Sequence, residues 1–380
     1  MERIYLDHAA TTPMDKRIVD KMLPFFTETF GNPSSIHSFG REARKWLDEA
    51  RETIANEVNG KPQEIILTSG GTEADNLAIT GVAMAKQHEG KHIITTKTEH
   101  HAVLQTCQKL EDLGFEVTYL DVDQTGLISL EQLKAELRPD TILVTIMYGN
   151  NETGVIQPIQ EIGELLKDHP TYFHTDAVQA FGTVDIHIEA CHIDLLSASG
   201  HKLNGPMGTG FLFVNERVKL KAQIFGGEQE RKRRAGTENV AGIVGLAEAT
   251  KLAKQNRREK AAHYGKLKET MIQAFEKEHL HFSINGHPEN TLPHIMNVFF
   301  PDVSIESLLV NLDMEGIAVS SGSACTAGSV LPSHVLSAMF GDEAKELTSS
   351  VRVSFGLGND EHQVQVAAEK IAAVVKRLVK

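Results

Sequence analysis

Cysteine is scarce in this chain: Cys107, Cys191 and Cys325 are the whole complement of 380 residues. No pair has CxxC spacing and an odd number cannot close completely into intramolecular disulfides, so a disulfide-stapled scaffold is excluded and reduced thiols are expected. Long apolar runs are missing too, and the start MERIYLDHAATTP lacks a basic stretch followed by an apolar one. Neither a membrane span nor a secretory leader is expected, which makes the cytoplasm the default compartment. Positive charge is in deficit, with 38 Lys and Arg against 51 Asp and Glu and a net charge of -13. That balance repels nucleic acid and anionic membranes at long range, and favours a small-molecule substrate or a basic protein partner.

Hydrophobic residues at 41% and charged residues at 23% are ordinary soluble usage, and no Pro/Gly/Ser tract suggests disorder. The length suffices for roughly two domains, each with its own core. Short apolar or β-branched runs at 64–68, 92–96, 115–120, 141–146, 172–174, 194–197 and 209–214 alternate with helical patterns, as in a parallel sheet covered by helices. Val103, Cys107 and Leu110 recur on one helical face, as do Ile159, Ile162 and Leu166. A polar helix is expected over 252–277. Beyond it, strands at 281–285, 296–300, 317–320 and 351–355 interleave with helices at 305–314, 333–339 and 362–378, an α+β pattern.

Three segments carry chemistry. In TSGGTEADNLAITGVAMA a strand ends in two glycines and a helix begins, with Thr72 expected as its cap and Asp75 closing a capping box. Open N–H groups and the helix dipole there suit a phosphate, although a glycine-rich turn without a ligand has the same appearance. In HTDAVQAF, Asp176 follows a buried strand and can hold a positive ring nitrogen, or simply cap a helix. In DLLSASGHKLNGPMGTGFLFV a strand delivers Ser199, His201 and Lys202 into a loop, where a desolvated lysine can form a Schiff base. Most lysines are solvated surface charges. A phosphate cradle, a pyridinium partner and an aldehyde-capturing lysine are together the parts of a pyridoxal-phosphate site.

The chain resembles the cysteine desulfurases of the NifS/IscS type. The segments that carry the likeness are YLDHAATTP, GNPSS, TSGGTEADN, TEHHAVL, NNETGVIQP, HTDAVQ, SASGHK, RRAGTENV, SSGSACTAGS and VRVSFG, spread over nearly the whole length. The resemblance implies an α/β fold of the aspartate aminotransferase (PLP-transferase) kind. Its large domain, with a mostly parallel sheet, is expected over 15–255, and a smaller α+β domain over 1–14 and 256–380. It implies pyridoxal 5'-phosphate bonded to Lys202, Asp176 on the ring nitrogen, Gln179 and Asn151 beside the ring oxygen, and His100 stacked on the ring and handling protons. Gly71, Thr72, Ser199 and His201 match phosphate ligands, and Thr237 matches a residue reaching the phosphate of a neighbouring subunit, hence a homodimer. Arg352 and Asn151 match the substrate contacts, Arg352 clamping the carboxylate, and Cys325, in a small polar loop, matches the thiol that accepts sulfur. The partners implied are L-cysteine and a sulfur-acceptor protein, either an iron–sulfur scaffold or a tRNA-thiolation enzyme.

The remaining candidates have plainer readings. His101 is expected at the surface or in packing, and Cys107 as a core filler. Cys191, with His187 and His192, fits no common closed zinc set, and no metal is expected. The RKRR run at 231–234 reads as a solvated loop rather than a nucleic-acid patch. A selenocysteine lyase, which needs no cysteine nucleophile, an aminotransferase and a non-catalytic scaffold of the same fold remain as alternatives.

Overall fold

A computed structural model describes residues 3–322 and 332–379. The strands are β1 (Ile4–Tyr5), β2 (Ile65–Thr68), β3 (His92–Thr96), β4 (Glu116–Leu120), β5 (Thr141–Thr145), β6 (Tyr172–Asp176), β7 (Leu195–Ser199), β8 (Gly210–Val214), β9 (Ser283–Asn285), β10 (Ile295–Phe299), β11 (Ile317–Ala318) and β12 (Ser350–Ser354). Seven of them form one sheet in the order β2-β8-β7-β6-β5-β3-β4. The sheet is mostly parallel, as expected, with one strand reversed. β8 runs antiparallel to both β2 and β7, while β3 to β7 pair in parallel. The connection from β7 to β8 is a short loop rather than a helical crossover, and a short connection returns the chain antiparallel. β5, β6, β7 and β8 are buried along their whole length, as expected of strands covered on both faces.

Two expectations need correction. The helix read from residue 252 begins at Val240 and runs to Lys277. Gly242 and Gly245 obscure its first turns, yet a Cβ at Gly242 would lie 2.7 Å from Thr209 Cγ2 and one at Gly245 2.5 Å from Met22 Sδ, so close packing accounts for them. The capping box at Thr72 is absent. Gly70 is the N-cap, at φ 153, and the helix Gly71–Lys86 starts two residues earlier than expected. That φ costs an L side chain on the order of 1 kcal/mol or more, and glycine nothing.

The long helix serves two cores. Its first half, through Ile243, Leu246 and Ala253, packs with Phe173, Phe181 and Phe211 beside the seven-stranded sheet. Its last turns, through Leu267, Met271 and Phe275, pack with Val298, Phe300 and Ile371 beside the antiparallel sheet β12-β10-β9. The N-terminal segment stitches the cores together. β1 pairs with β11, Asp7 bridges to Ser354, and Thr12 Oγ1 donates to the His201 carbonyl at 2.7 Å.

Candidate active site

The C-terminal ends of β2, β5, β6 and β7 lie along one edge of the large sheet, where ligands of open α/β sheets sit. Each of these ends hands a short segment to the same cavity, of about 510 Å³. Gly71 and Thr72, at the start of their helix, line one side with Ser199. The first turn of a helix leaves N–H groups without intrahelical partners, which favours an anion at that end. A Cβ at Gly71 would lie 2.6 Å from Val178 Cγ2, so the helix start and the loop after β6 meet at a spacing only glycine permits.

Asp176 ends β6, and one carboxyl oxygen accepts the Val178 N–H at 2.9 Å. Burial pushes its pKa up, and the neighbouring His100 opposes the rise. Asp75, expected at a helix cap, is instead buried beside it. Polar atoms of Asp75, His100 and Asp176 all lie within 4.8 Å of one another. Burial, then the charge of Asp176, raises the pKa of Asp75 well above its ordinary range. Asp176, which unlike Asp75 has His100 and Lys202 opposing the rise, is the better placed of the two carboxyls to carry charge beside a cation.

His100 caps the helix His101–Asp112, its Nδ1 accepting the Ala102 N–H at 3.1 Å. Because Nδ1 is the acceptor, the proton of the neutral ring lies on Nε2. Burial lowers the His100 pKa and keeps it neutral. His201 has a pKa lowered to about 4 by burial and then by Lys202, and its Nδ1 lies 3.1 Å from Thr11 Oγ1.

Lys202 closes a short 3-10 turn after β7. Its Nζ donates to the carbonyls of Ala9 at 2.5 Å and Ala10 at 2.7 Å. Burial, then the charge of Arg352, lowers its pKa to about 8. Gln179 Nε2 donates to the same Ala9 carbonyl at 2.9 Å. Arg352 leaves the second core on β12, 4% exposed. Its Nη1 donates to the Asn151 carbonyl at 2.9 Å and its Nη2 to Asp7 at 2.8 Å, while Nε meets no acceptor among the described residues.

The cavity thus gathers Gly71, Thr72, His100, Asn151 and Asp176 with Gln179, Ser199, His201, Lys202 and Arg352. Thr237 is exposed and does not line it. Cys325 lies outside the described residues. Cys107 is fully buried and Cys191 nearly so, and burial raises both thiol pKa values. His187 Nδ1 lies 2.7 Å from Asn59 Nδ2, and His192 pairs with Glu164.

Among the lining residues with titratable side chains, Asp7, Glu152 and His334 had no role in the sequence reading, and His101 was expected only at the surface or in packing. His101 packs its ring 4.7 Å from that of His334. The YLDHAATTP segment was a signal for Asp7, but its partner Arg352 lies at the far end of the chain.

A buried acid at a strand end, a lysine of depressed pKa and an anion cradle around one cavity fit a flat cationic ring that bears an aldehyde and a phosphate. Burial alone penalises the charge on Asp176, and a ring N–H⁺ would offset that penalty. The sequence matches the aminotransferase class-V family over residues 4–366. The chain is 65% identical to IscS 1 of Bacillus subtilis over the full length of both. A solved NifS-like protein superposes at a TM-score of 0.93, with 36% identity over 99% of this chain and 100% of that one. A structure described as SspA in complex with cysteine matches at 0.81, with 38% identity over 93% of this chain and 99% of that one. The chain belongs to the aminotransferase class-V family, among its NifS/IscS-type cysteine desulfurases. Enzymes of this family depend on pyridoxal phosphate, and this chain is one of them.

For a class-V enzyme with this lysine, cofactor capture has a defined pH dependence. The free amine is the nucleophile, and its fraction falls about tenfold for each pH unit below the pKa. With the Lys202 pKa at about 8, capture of added pyridoxal phosphate by cofactor-free protein should accelerate from pH 6 to 8 and level off above. Growth of the visible band measures it. A rate still rising tenfold per unit past pH 9 means a lysine of ordinary pKa.

Proposed function

We propose that this cavity removes sulfur from L-cysteine, releasing L-alanine and leaving the sulfur as a persulfide on Cys325. The observation that carries the reading is the pairing of Lys202, with its depressed pKa, and Arg352, with an unpartnered Nε, in one cavity with Asp176. Such a pair handles an amino acid: one group meets the amine end and the other the carboxylate.

Pyridoxal phosphate, when bound, supplies an aldehyde carbon and a ring that delocalises the electron pair left at the substrate Cα. Lys202 holds the aldehyde, Asp176 the ring nitrogen, and Asn151 and Gln179 the ring oxygen. The cradle of Gly71, Thr72, Ser199 and His201 holds the phosphate, and His100 packs on the ring. With cysteine in the cavity, the Lys202 amine is the base that would take the Cα proton. Arg352 keeps the carboxylate fixed. The Cys325 thiolate then bonds to the substrate sulfur while the Cβ–S bond breaks, its electron pair staying on carbon. Protonation completes alanine, so one cysteine and one thiol give one alanine and one persulfide. Incubation with L-cysteine should give equal amounts of alanine and of one sulfur added to Cys325. Alanine without sulfur on Cys325 favours the lyase instead.

Thr237 completes the phosphate site of a second subunit in this reading, making a homodimer with two composite sites. Its exposure supports this, and so does the way its segment is anchored. Glu230 holds Arg51 at 2.6 and 2.7 Å and accepts the Leu67 N–H at 3.0 Å, and Arg234 Nε lies 2.7 Å from Glu73 in the first turn of the cradle helix. Uncovered apolar side chains, Ile36 at 91% and Phe225 at 86% exposure with Phe26, Phe30 and Phe39, supply a face for a second copy. Thr237→Ala should weaken cofactor retention about tenfold, the worth of one charge-assisted hydrogen bond. Mixing with Lys202→Ala subunits should restore tight retention at one site per mixed dimer, because those subunits still offer Thr237. Retention unchanged on mixing means that Thr237 serves its own subunit or none.

The acceptor of the persulfide is a protein of iron–sulfur assembly or tRNA thiolation in this reading, and the compartment the cytoplasm. No helix among the described residues is long and apolar enough to cross a membrane.

A further inference from the structure

We propose that Glu152 is a positioning residue for sulfur transfer, its buried carboxyl bonded to Ser333 and packed against Gly322, the described residues that stand on either side of Cys325 in the chain. The inference rests on Cys325 being the sulfur acceptor.

Glu152 is 1% exposed and lines the cavity. Its main chain is fixed on both sides. The N–H donates to Asn150 Oδ1 at 2.9 Å, and the carbonyl accepts Asn297 Nδ2 at 3.3 Å from the buried strand β10. One carboxyl oxygen, Oε2, reaches both chain points. It accepts the Ser333 hydroxyl at 2.5 Å. Ser333 Oγ in turn accepts the Leu336 N–H at 3.0 Å and so caps the helix His334–Phe340. At the other point Gly322 stands at φ 91, and a Cβ built on it would lie 2.8 Å from the same Oε2. The Gly322 backbone therefore lies against the carboxyl, with neither room nor a suitable φ for a side chain.

Both points are tied to groups that meet the substrate in the proposed function. Gly322 N–H donates to Ser320 Oγ at 3.1 Å, and Ser320 exchanges main-chain bonds with Arg352 at 2.6 and 3.2 Å. His334 Nε2 donates to the Glu99 carbonyl at 2.9 Å, one residue before His100. Gly322 and Ser333 thus lie beside one oxygen atom, the first tied to the carboxylate clamp and the second, through its helix, to the segment of the ring-stacking histidine. Fixing both ends of a segment raises the effective concentration of any group on it at a nearby target, and a displacement of about 1 Å can cost about a hundredfold in rate. An apolar side chain of similar size would fill the space but leave the Ser333 hydroxyl without this acceptor. Burial raises the pKa of Glu152, with Ser333 and then Arg352 opposing, so an amide is a fair stand-in for the carboxyl.

The test separates early steps from sulfur transfer in the holoenzyme. Glu152→Ala, Glu152→Gln, Ser333→Ala and the parent are mixed rapidly with L-cysteine. The first change in cofactor absorbance is recorded, and persulfide on Cys325 is quantified in quenched samples. Glu152→Ala and Ser333→Ala should slow persulfide formation about tenfold or more while the first absorbance change moves less than about twofold, and Glu152→Gln should recover most of the loss. If Glu152→Ala does not fold, Ser333→Ala, which leaves the carboxyl in place, decides. Equal slowing of both steps, or persulfide at the parental rate, overturns the inference. If the parent itself adds no sulfur to Cys325, the proposed acceptor is wrong and the inference falls with it, an outcome distinct from the other two.

Discussion

Lys202→Ala should lose the covalent cofactor bond and about a thousandfold or more in alanine release while keeping its fold. A positioned proton-transfer group contributes about 10²–10⁴-fold, and the same residue also holds the cofactor. The structural cost is small for an identifiable reason. Lys202 makes no core contact of its own, and its Nζ serves two backbone carbonyls, of which Ala9 keeps the Gln179 donor at 2.9 Å. Only the Ala10 carbonyl loses its donor among the described residues, at about 1–3 kcal/mol if water does not replace it, and repulsion of Arg352 is relieved at once. Lys202→Arg is the control, since a guanidinium keeps the charge and is not a nucleophile at any working pH. Both variants should lack absorbance that borohydride fixes to the chain, and both should melt within a few degrees of the parent. Alanine release at the parental rate in either variant removes Lys202 from the mechanism.

The parts of the site that were legible in the sequence lie on short contiguous segments at strand ends. Asp176 ends a buried strand and Gly71 and Lys202 come shortly after one, so the switch from apolar run to polar or glycine-rich turn marked them. What stayed hidden depends on distance along the chain or on the backbone. Asp7 meets Arg352 across 345 positions, and the groups that hold Lys202 are the carbonyls of two alanines, which no side-chain pattern announces. Glu152, within NNETG, has no task legible in the sequence, because its hydrogen-bond partner Ser333 lies 181 positions further along the chain.

Asp75 shows how a local rule fails. Thr72 and Asp75 have capping-box spacing, but a glycine preceded them that could turn the chain at φ 153, and the helix began there. In that helix Asp75 lies past the cap, on the buried face with Ala74 and Ala78 and near Asp176. The helix Ser38–Glu57 escaped notice for a related reason. Its cap is His37, whose ring nitrogen accepts the Gly40 N–H at 3.2 Å, a role more often filled by Ser, Thr, Asp or Asn.

Cys325→Ser should separate the two halves of the reaction. Cysteine should still enter and perturb the cofactor spectrum, because those events use Lys202, Arg352 and Asp176, all of them intact. Persulfide and alanine should fall about a hundredfold or more. A serine hydroxyl stays protonated near neutral pH and accepts sulfur poorly, whereas a thiol is partly ionised there and intrinsically nucleophilic. The other two cysteines are internal controls of opposite character. Cys107 is 0% exposed and Cys191 7%, and burial raises the pKa of each, which keeps both as thiols. Serine at either site puts a hydroxyl among apolar side chains, at a cost of about 1–3 kcal/mol in stability. Those two variants should melt earlier yet transfer sulfur at the parental rate, while Cys325→Ser should fail in transfer without that loss of stability. Stopped-flow spectra, a persulfide assay and thermal melts on the same three variants measure all of this. Release of alanine and sulfide by Cys325→Ser at the parental rate would remove Cys325 as acceptor and leave a lyase without a cysteine nucleophile as the better description.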